Sequence, residues 1–489
     1  MTDFHTLLED EQTLDPQNWE EQRKLAHNMV DDMFDYLQNI GQEPAWRPIP
    51  DAVKAAYNQA LPQNPSSLET IYEDFKTNIL PYNKGNVHPR FFSWVQGTGT
   101  AMGMMADMLA SGMNPNVAIG EHAAMYIDKQ VIEWTKQMMG FPESASGMLL
   151  SGGTLANITA IMVARNSFGN HKAKGLYGTA QPLTLYCSTE VHNCIMKAAE
   201  AIGIGSENVR KVPVNSQYEM DLLALQDMIT TDKAAGKMPF CVVGNAVTVN
   251  TGAIDDLAGI SKIAKKENLW FHIDGAIGAV ARAVPELQEK LKAIELADSV
   301  ALDFHKWLYV NYEVGCVLIR DVTVHRAAFA QTASYLMSHE RGLASGLDPL
   351  TNYGMELSRG FKALKIWMSL REHGMEKYNQ LMRQNVAQAF YLGSLIEQST
   401  HLELLAPITS NIVCFRFFDN TLSEPELNDL NKEILMQLQE QGIATPSYTL
   451  LQGKYAIRVA NVNHRSRKKD FEILTENIER IGLELTSKE

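Results

Sequence analysis

Apolar residues along this chain recur with different periods, and each period marks a region. From Asp15 to Gly41, residues Trp19, Leu25, Met29, Met33, Phe34, Leu37 and Ile40 return at near-helical spacing between an Asp-Pro start and a Gly stop. This predicts an amphipathic helix whose apolar face needs a partner, either a second subunit or the helix's own domain. From about Gly140 to Arg320, short β-type runs alternate with helical stretches. The candidate strands are 183–188 (LTLYCS), 239–247 (PFCVVGNAV), 269–274 (LWFHID), 298–304 (DSVALDF) and 315–320 (GCVLIR). Several are apolar on both faces, as strands covered by helices on two sides must be, so the expected class is α/β with a doubly wound parallel or mixed sheet.

After a long helical region that opens with 361–374 (FKALKIWMSLREHG), the pattern changes again. Strand-like 411–418 (NIVCFRFF) and 455–463 (YAIRVANVN) flank a helix over 424–442, with Ser423 and Glu426 at capping-box spacing and Gly442 at its end. The expected organisation is an N-terminal helical segment (1–85), a large domain (86–375) and a small C-terminal α/β domain (376–489). No internal repeat suggests a solenoid.

Composition narrows the function classes. Of 489 residues, 45% are hydrophobic and 20% charged, near the averages of soluble globular proteins and unlike disordered, collagenous or coiled-coil chains. A net charge of -14 disfavours a non-specific grip on polyanions, so no nucleic-acid partner is expected. The five cysteines, Cys187, Cys194, Cys241, Cys316 and Cys414, are scattered and mostly inside apolar runs; they read as reduced core thiols, not as a disulfide framework or a metal site. The acidic N-terminus lacks the basic and apolar regions of a secretory leader. No apolar run approaches the ~18 residues of a membrane span, and a cytoplasmic protein is expected.

Four segments carry chemistry, each where a strand hands over to a loop or helix, the place where α/β sheets bind ligands. In 149–162 (LLSGGTLANITAIM), Gly152 and Gly153 allow close approach of an anion, Thr154 adds a hydroxyl, and the following helix offers free N–H groups. A simple tight turn is the alternative. In 270–280 (WFHIDGAIGAV), Asp274 ends an apolar strand, where a carboxylate needs a cationic partner or hydrogen bonds. In 301–320 (ALDFHKWLYVNYEVGCVLIR), Lys306 follows His305 among Phe304, Trp307 and Leu308, and partial desolvation is expected to lower its amine pKa. In 185–203 (LYCSTEVHNCIMKAAEAIG), His192 can cap the helix or stack on a flat ring. A phosphate, a heteroaromatic nitrogen, a carbonyl and a flat ring coexist in pyridoxal phosphate (PLP).

Read together with 88–95 (HPRFFSWV), 150–157 (LSGGTLAN), 272–276 (HIDGA), 297–310 (ADSVALDFHKWLYV), 356–374 (ELSRGFKALKIWMSLREHG) and 458–466 (RVANVNHRS), the chain resembles the PLP-dependent group II amino-acid decarboxylases, the aromatic-L-amino-acid and glutamate decarboxylase group. The resemblance implies the aspartate-aminotransferase-type fold (PLP fold type I), a homodimer with active sites at the interface, and decarboxylation of an L-amino acid to its amine. It implies Lys306 as the Schiff-base lysine, Asp274 as the partner of the pyridine nitrogen, and His192 stacked over the ring. Gly152, Gly153, Thr154 and His305 correspond to phosphate-side positions, Thr248 to a threonine near the cofactor, and Ala276 to a small residue under the ring.

Two places depart from the family pattern. Val247, Thr248 and Val249 stand where a Gly-Thr-Thr is usual, and Trp94, Val95, Gln96 and Gly97 where aromatic decarboxylases carry Tyr-Phe-Pro-Thr. The resemblance also implies a loop tyrosine that returns a proton to the substrate carbon. Tyr353 is the candidate and Tyr335 the alternative, while counting back from Arg359 puts Leu350 at that place. A PLP-dependent aldehyde synthase, in which oxygen meets the carbon instead of an acid, and a non-catalytic protein of this fold remain as rival readings.

Overall fold

The structure, a computed structural model, describes residues 11–330 and 339–487. Its centre is a seven-stranded sheet in the order β2-β8-β7-β6-β5-β3-β4, built from β2 (Ser146–Leu150), β3 (Leu183–Ser188), β4 (Val209–Val212), β5 (Met238–Asn245), β6 (Trp270–Asp274), β7 (Ser299–Asp303) and β8 (Gly315–Ile319). Every pairing is parallel except those of β8, which runs against both β2 and β7. The sequence pattern anticipates β3, β5, β6, β7 and β8. β2 and β4 are added by tertiary pairing.

Neighbouring residues in these strands serve opposite faces. Tyr186, Val242 and Phe271 pack into the core on one side, with α3 (Ala123–Met139), α6 (Leu222–Ala234) and α7 (Leu257–Glu267). Cys187, Val243 and Trp270 pack into the core on the other, with α4 (Gly153–Ser167), α5 (Cys194–Ala201) and α8 (Val322–Phe329). Two buried faces on a period of two explain why the strands read as continuous apolar runs.

A second sheet, β1-β11-β12-β10-β9, comprises β1 (Phe91–Phe92), β9 (Leu402–Leu404), β10 (Ile412–Phe417), β11 (Thr445–Leu451) and β12 (Lys454–Ala460). One face packs on the end of α9 (Ala363–Gln398), on α10 (Glu424–Glu440) and on α11 (Lys468–Thr486), through Phe415, Phe417, Ile434, Ile457 and Phe471. The other face, with Ile412, Cys414 and Ala456, joins the core of the large sheet. Phe91 and Phe92 reach this sheet from far up the chain and pair in parallel with Thr445 and Pro446. The Ser423–Glu426 capping box closes α10, and Gly442 takes the left-handed conformation beyond it. Gly374, with φ 70° and ψ 153°, interrupts α9.

The N-terminal helix α1 (Trp19–Asn39) is capped by Asn18 and has no buried residue, although Tyr72 donates to Asp32 and Asn83 donates to Tyr36 from the same chain. All five cysteines are buried and unpaired. Among the described residues, no helix is long and apolar enough to cross a membrane.

Candidate functional site

The carboxyl ends of the parallel strands open into one cavity of about 660 Å³, bounded on its far side by the second sheet. β2 leads into the Gly152–Gly153 turn and the N-terminus of α4. The β3–α5 connection brings His192 and Cys194; β5 ends at Asn245, β6 at Asp274, and β7 at Asp303 before His305 and Lys306. Ser447 and Tyr448 of β11 and Arg458 of β12 close the opposite wall.

The glycine turn is required by geometry. Gly152 has φ 151° and ψ 178°, a backbone region essentially restricted to glycine. A Cβ on Gly153 would lie 2.8 Å from Asp303 Oδ2 and 3.2 Å from the Ala276 methyl group. Neither glycine puts a side chain over the N–H groups at the start of α4, and the Asp303 carboxylate stands beside the turn.

Asp274 is held from two sides: Oδ1 accepts the Ala276 N–H at 3.2 Å and Oδ2 accepts the Cys194 thiol at 3.6 Å. A buried relay stands behind that thiol. Asn157 donates to the Gly153 carbonyl and to Cys194 Sγ, and its Oδ1 lies 2.7 Å from His272 Nε2. Because Asn157 Oδ1 can only accept, Nε2 of His272 carries the proton and Nδ1 accepts from the Ser299 hydroxyl, which in turn accepts from Trp270. Burial pushes His272 down to about 4, so it is neutral near pH 7.

His192 Nδ1 accepts the Cys194 N–H at 3.2 Å, which leaves Nε2 for the cavity. Enclosure by the cavity walls lowers its pKa, opposed by Asp274 and assisted by Lys306. His305 is fastened by Nδ1, 2.9 Å from the Val314 carbonyl oxygen. Lys306 is followed by Trp307 and Tyr309, both buried and both donating to Asn385 Oδ1 of α9, so its backbone is pinned on the core. Its amine departs from the sequence expectation. Burial works to lower the pKa, but Asp303, 2.9 Å away, then Asp274 and Cys194, more than offset it, and the net shift is upward. The expectation of a lowered amine considered desolvation without the carboxylate three residues earlier.

The structure brings Gly152, Gly153, Thr154, His192, Asp274, Ala276, His305 and Lys306 onto one cavity wall. It does not bring Thr248 or Tyr353 there. Thr248 is buried with its hydroxyl 3.2 Å from that of Thr251, while Val247, Val249 and Asn250 face the cavity instead. The Tyr353 hydroxyl donates to Asp348, its ring meets His325 edge-on, and its carbonyl accepts from His325 Nε2. Leu350 opens the short turn that precedes it, and Tyr335 lies outside the described residues.

Sequence reasoning missed Asp303, Asn245, Cys194 and Arg458. Arg458 is buried at the substrate side, donating to the carbonyls of Trp94, Val249 and Asn250 and to the Ser447 hydroxyl. Burial pushes its pKa down to about 10. None of those four partners is charged, so this buried cation is held by neutral oxygens at the edge of the cavity. Its place in 458–466 was visible as a motif, but its partners come from two remote segments, one at Trp94 and one at Val249 and Asn250, and from Ser447 on the neighbouring strand.

Comparison with known proteins agrees with this architecture. The family model described as pyridoxal-dependent decarboxylase conserved domain matches residues 50–418. The chain is 30% identical over 456 residues to an aromatic-L-amino-acid decarboxylase of Bacillus atrophaeus, covering 92% of this chain and 93% of that one. It is also 26% identical to a phenylacetaldehyde synthase of Arabidopsis thaliana, covering 91% and 93%. The crystal structure of Oryza sativa TDC with PLP and tryptamine superposes with a TM-score of 0.88 at 23% identity, covering 97% of this chain and 100% of that one; that likeness speaks to the fold.

Proposed function

The chain belongs to the pyridoxal-dependent decarboxylase family, and from that premise we propose how its own residues serve the decarboxylation of an L-amino acid. It is a PLP-dependent carboxy-lyase of amino-acid metabolism. The observation that carries the site assignment is the convergence of Lys306, Asp274 and the Gly152–Gly153 turn on one cavity.

The residues present fit PLP. Gly152, whose backbone conformation requires glycine, and the N-terminus of α4 suit a phosphate, with Thr154 and His305 beside them. Asp274 suits a protonated pyridine nitrogen, Ala276 leaves room under a flat ring, and His192 can lie over it. Lys306 supplies the amine that takes the aldehyde. Thr248, one residue behind the wall, contributes by supporting it. When bound, the cofactor supplies an electron sink for the pair released as CO2 departs.

The remaining work falls to this chain. Arg458 attracts and orients the substrate carboxylate beside the wall that carries Trp94, Val95 and Gln96. His192, with Nδ1 engaged, presents Nε2 to the reacting atoms, where it holds the substrate in orientation. Tyr353 can return a proton only to a cavity other than its own, that of a second copy. A homodimer with sites at the interface accords with α1, which buries none of its residues and leaves Trp19 59% exposed. Five reduced thiols accord with a cytoplasmic setting.

The test is to incubate the purified protein with PLP and a panel of L-amino acids, measuring CO2, amine, aldehyde and peroxide together. CO2 with equimolar amine from one amino acid is expected. Aldehyde and peroxide in place of amine would transfer the reading to the aldehyde synthases, and no CO2 from any amino acid would overturn it. Sedimentation equilibrium tests the dimer.

A further inference from the structure

Asp303 has no part in the roles above, yet it is among the most constrained side chains of the cavity. Only 2% of its side chain is exposed; Oδ2 lies 2.9 Å from Lys306 Nζ and 3.8 Å from His305 Nε2. Oδ1 is buried and has no hydrogen-bond partner. The carboxylate is wedged into glycine: a Cβ on Gly153 would lie 2.8 Å from Oδ2, and one on Gly315 2.6 Å from Oδ1. Lys306 is the nearer of the two basic side chains beside it. A buried carboxylate needs a charged partner, and Lys306 is the one with which it makes a hydrogen-bonded ion pair.

We propose that Asp303 is a positioning residue for Lys306: its carboxylate holds the ε-ammonium group at the cavity floor and sets the pH at which the amine is released to condense with an aldehyde. This rests on the reading of Lys306 as the cofactor-bearing lysine. Condensation needs the lone pair of Nζ. One ammonium proton is lost to solvent base, leaving a neutral amine beside the Asp303 carboxylate, 2.9 Å away; because the carboxylate favours the charged form, that loss needs a higher pH. The amine then adds to the carbonyl carbon, and the carbonyl oxygen leaves as water with the two hydrogens that remained on Nζ. Once substrate displaces Lys306, Asp303 takes the ammonium back and keeps it from wandering over the reacting atoms.

The other groups that face Lys306 do not duplicate this. Asp274 of β6 and Cys194 of α5 favour its charge from farther away, while His192 and His305 are both disfavoured as cations by Lys306 itself. Tyr312 and Glu313 line the same cavity. Among these, Asp303 exerts the largest upward pull on the amine.

The experiment uses the full chain freed of cofactor and reacted with pyridoxal, which lacks the phosphate, from about pH 6 to 11. Borohydride quenching at timed intervals traps the adduct, and peptide mapping locates it. In the wild type the rate of labelling at Lys306 should rise with a midpoint at or above the ordinary lysine value of ~10.4. Asp303→Asn, which keeps the size of the side chain, should bring that midpoint down by roughly one to three pH units, as expected for loss of an adjacent opposite charge. A purely structural role would lower the plateau rate without moving the midpoint, and an unmoved midpoint in folded Asp303→Asn overturns the proposal. A wild-type midpoint well below the ordinary lysine value does the same, so the test stands even if the Asn variant fails to fold. Label on a different lysine would instead defeat the reading of the cavity.

Discussion

The thiol of Cys194 lies 3.6 Å from Oδ2 of Asp274 and donates to it, joining the first turn of α5 to the end of β6. With the Ala276 N–H on Oδ1, both carboxylate oxygens are aimed by the protein, and the relay through Asn157 and His272 stiffens the arrangement. Asp274→Asn should still bind PLP through its phosphate. Activity should fall on the order of 10²-fold or more, because an amide does not stabilise charge developing on the ring as a carboxylate does. Cys194→Ala removes only a weak donor and should weaken PLP binding by less than about tenfold, the equivalent of one ~1 kcal/mol hydrogen bond. Equal losses from the two variants, read by steady-state rates and PLP titration, would reject the separate roles.

Lys306→Ala should abolish the visible absorbance that arises when PLP is joined to its lysine, and activity with it, since among the described residues no other amine lines the cavity. Non-covalent PLP binding should survive in part through the glycine cradle. Undiminished absorbance in the variant would show that another lysine carries the cofactor.

Tyr353→Phe loses a hydrogen bond to a half-exposed Asp348. If the hydroxyl only secures this turn, the loss is about 0.5 to 1.5 kcal/mol of stability, with an unchanged ratio of amine to aldehyde. That is the outcome expected within one subunit, where Tyr353 does not reach the cavity. A fall in amine formation of about 10²- to 10⁴-fold with a rise in aldehyde and peroxide would assign the phenol to a partner's cavity.

Acid should destabilise this protein through its buried histidines. Burial pushes His88, His272 and His325 each down to about 4 from an ordinary value of 6.5. Between those values the unfolded chain binds more protons than the native one, so stability rises with pH. The contribution is fully present above about pH 6.5 and is lost as pH falls toward 4, at up to about 1.4 kcal/mol per pH unit for each histidine. Urea midpoints at pH 7, 6 and 5 should fall in that order. Flat midpoints over this range would mean that these histidines titrate normally in the fold.

Much of the architecture is written in short-range pattern. Runs such as LTLYCS and LWFHID declare strands because both faces are buried, the Ser423–Glu426 spacing declares a helix start, and the SGGT turn, HIDGA and HKW segments announce where strands end in chemistry. Those features depend on residues a few positions apart, so one-dimensional reading reaches them. What only the tertiary structure decided involves partners distant in the chain. Phe91 and Phe92 become a strand only because Thr445 and Pro446 lie beside them, and Arg458 becomes a buried cation only where Trp94, Val249, Asn250 and Ser447 surround it. Thr248 falls behind the wall and Tyr353 away from it because backbone direction, not residue type, chooses what a side chain faces. Asp303 is the instructive case. It stands three residues from Lys306 in plain view, yet the sign of its effect on that amine depended on burial and a 2.9 Å approach, since charge and desolvation pull an amine in opposite directions and only three-dimensional distance decides which prevails.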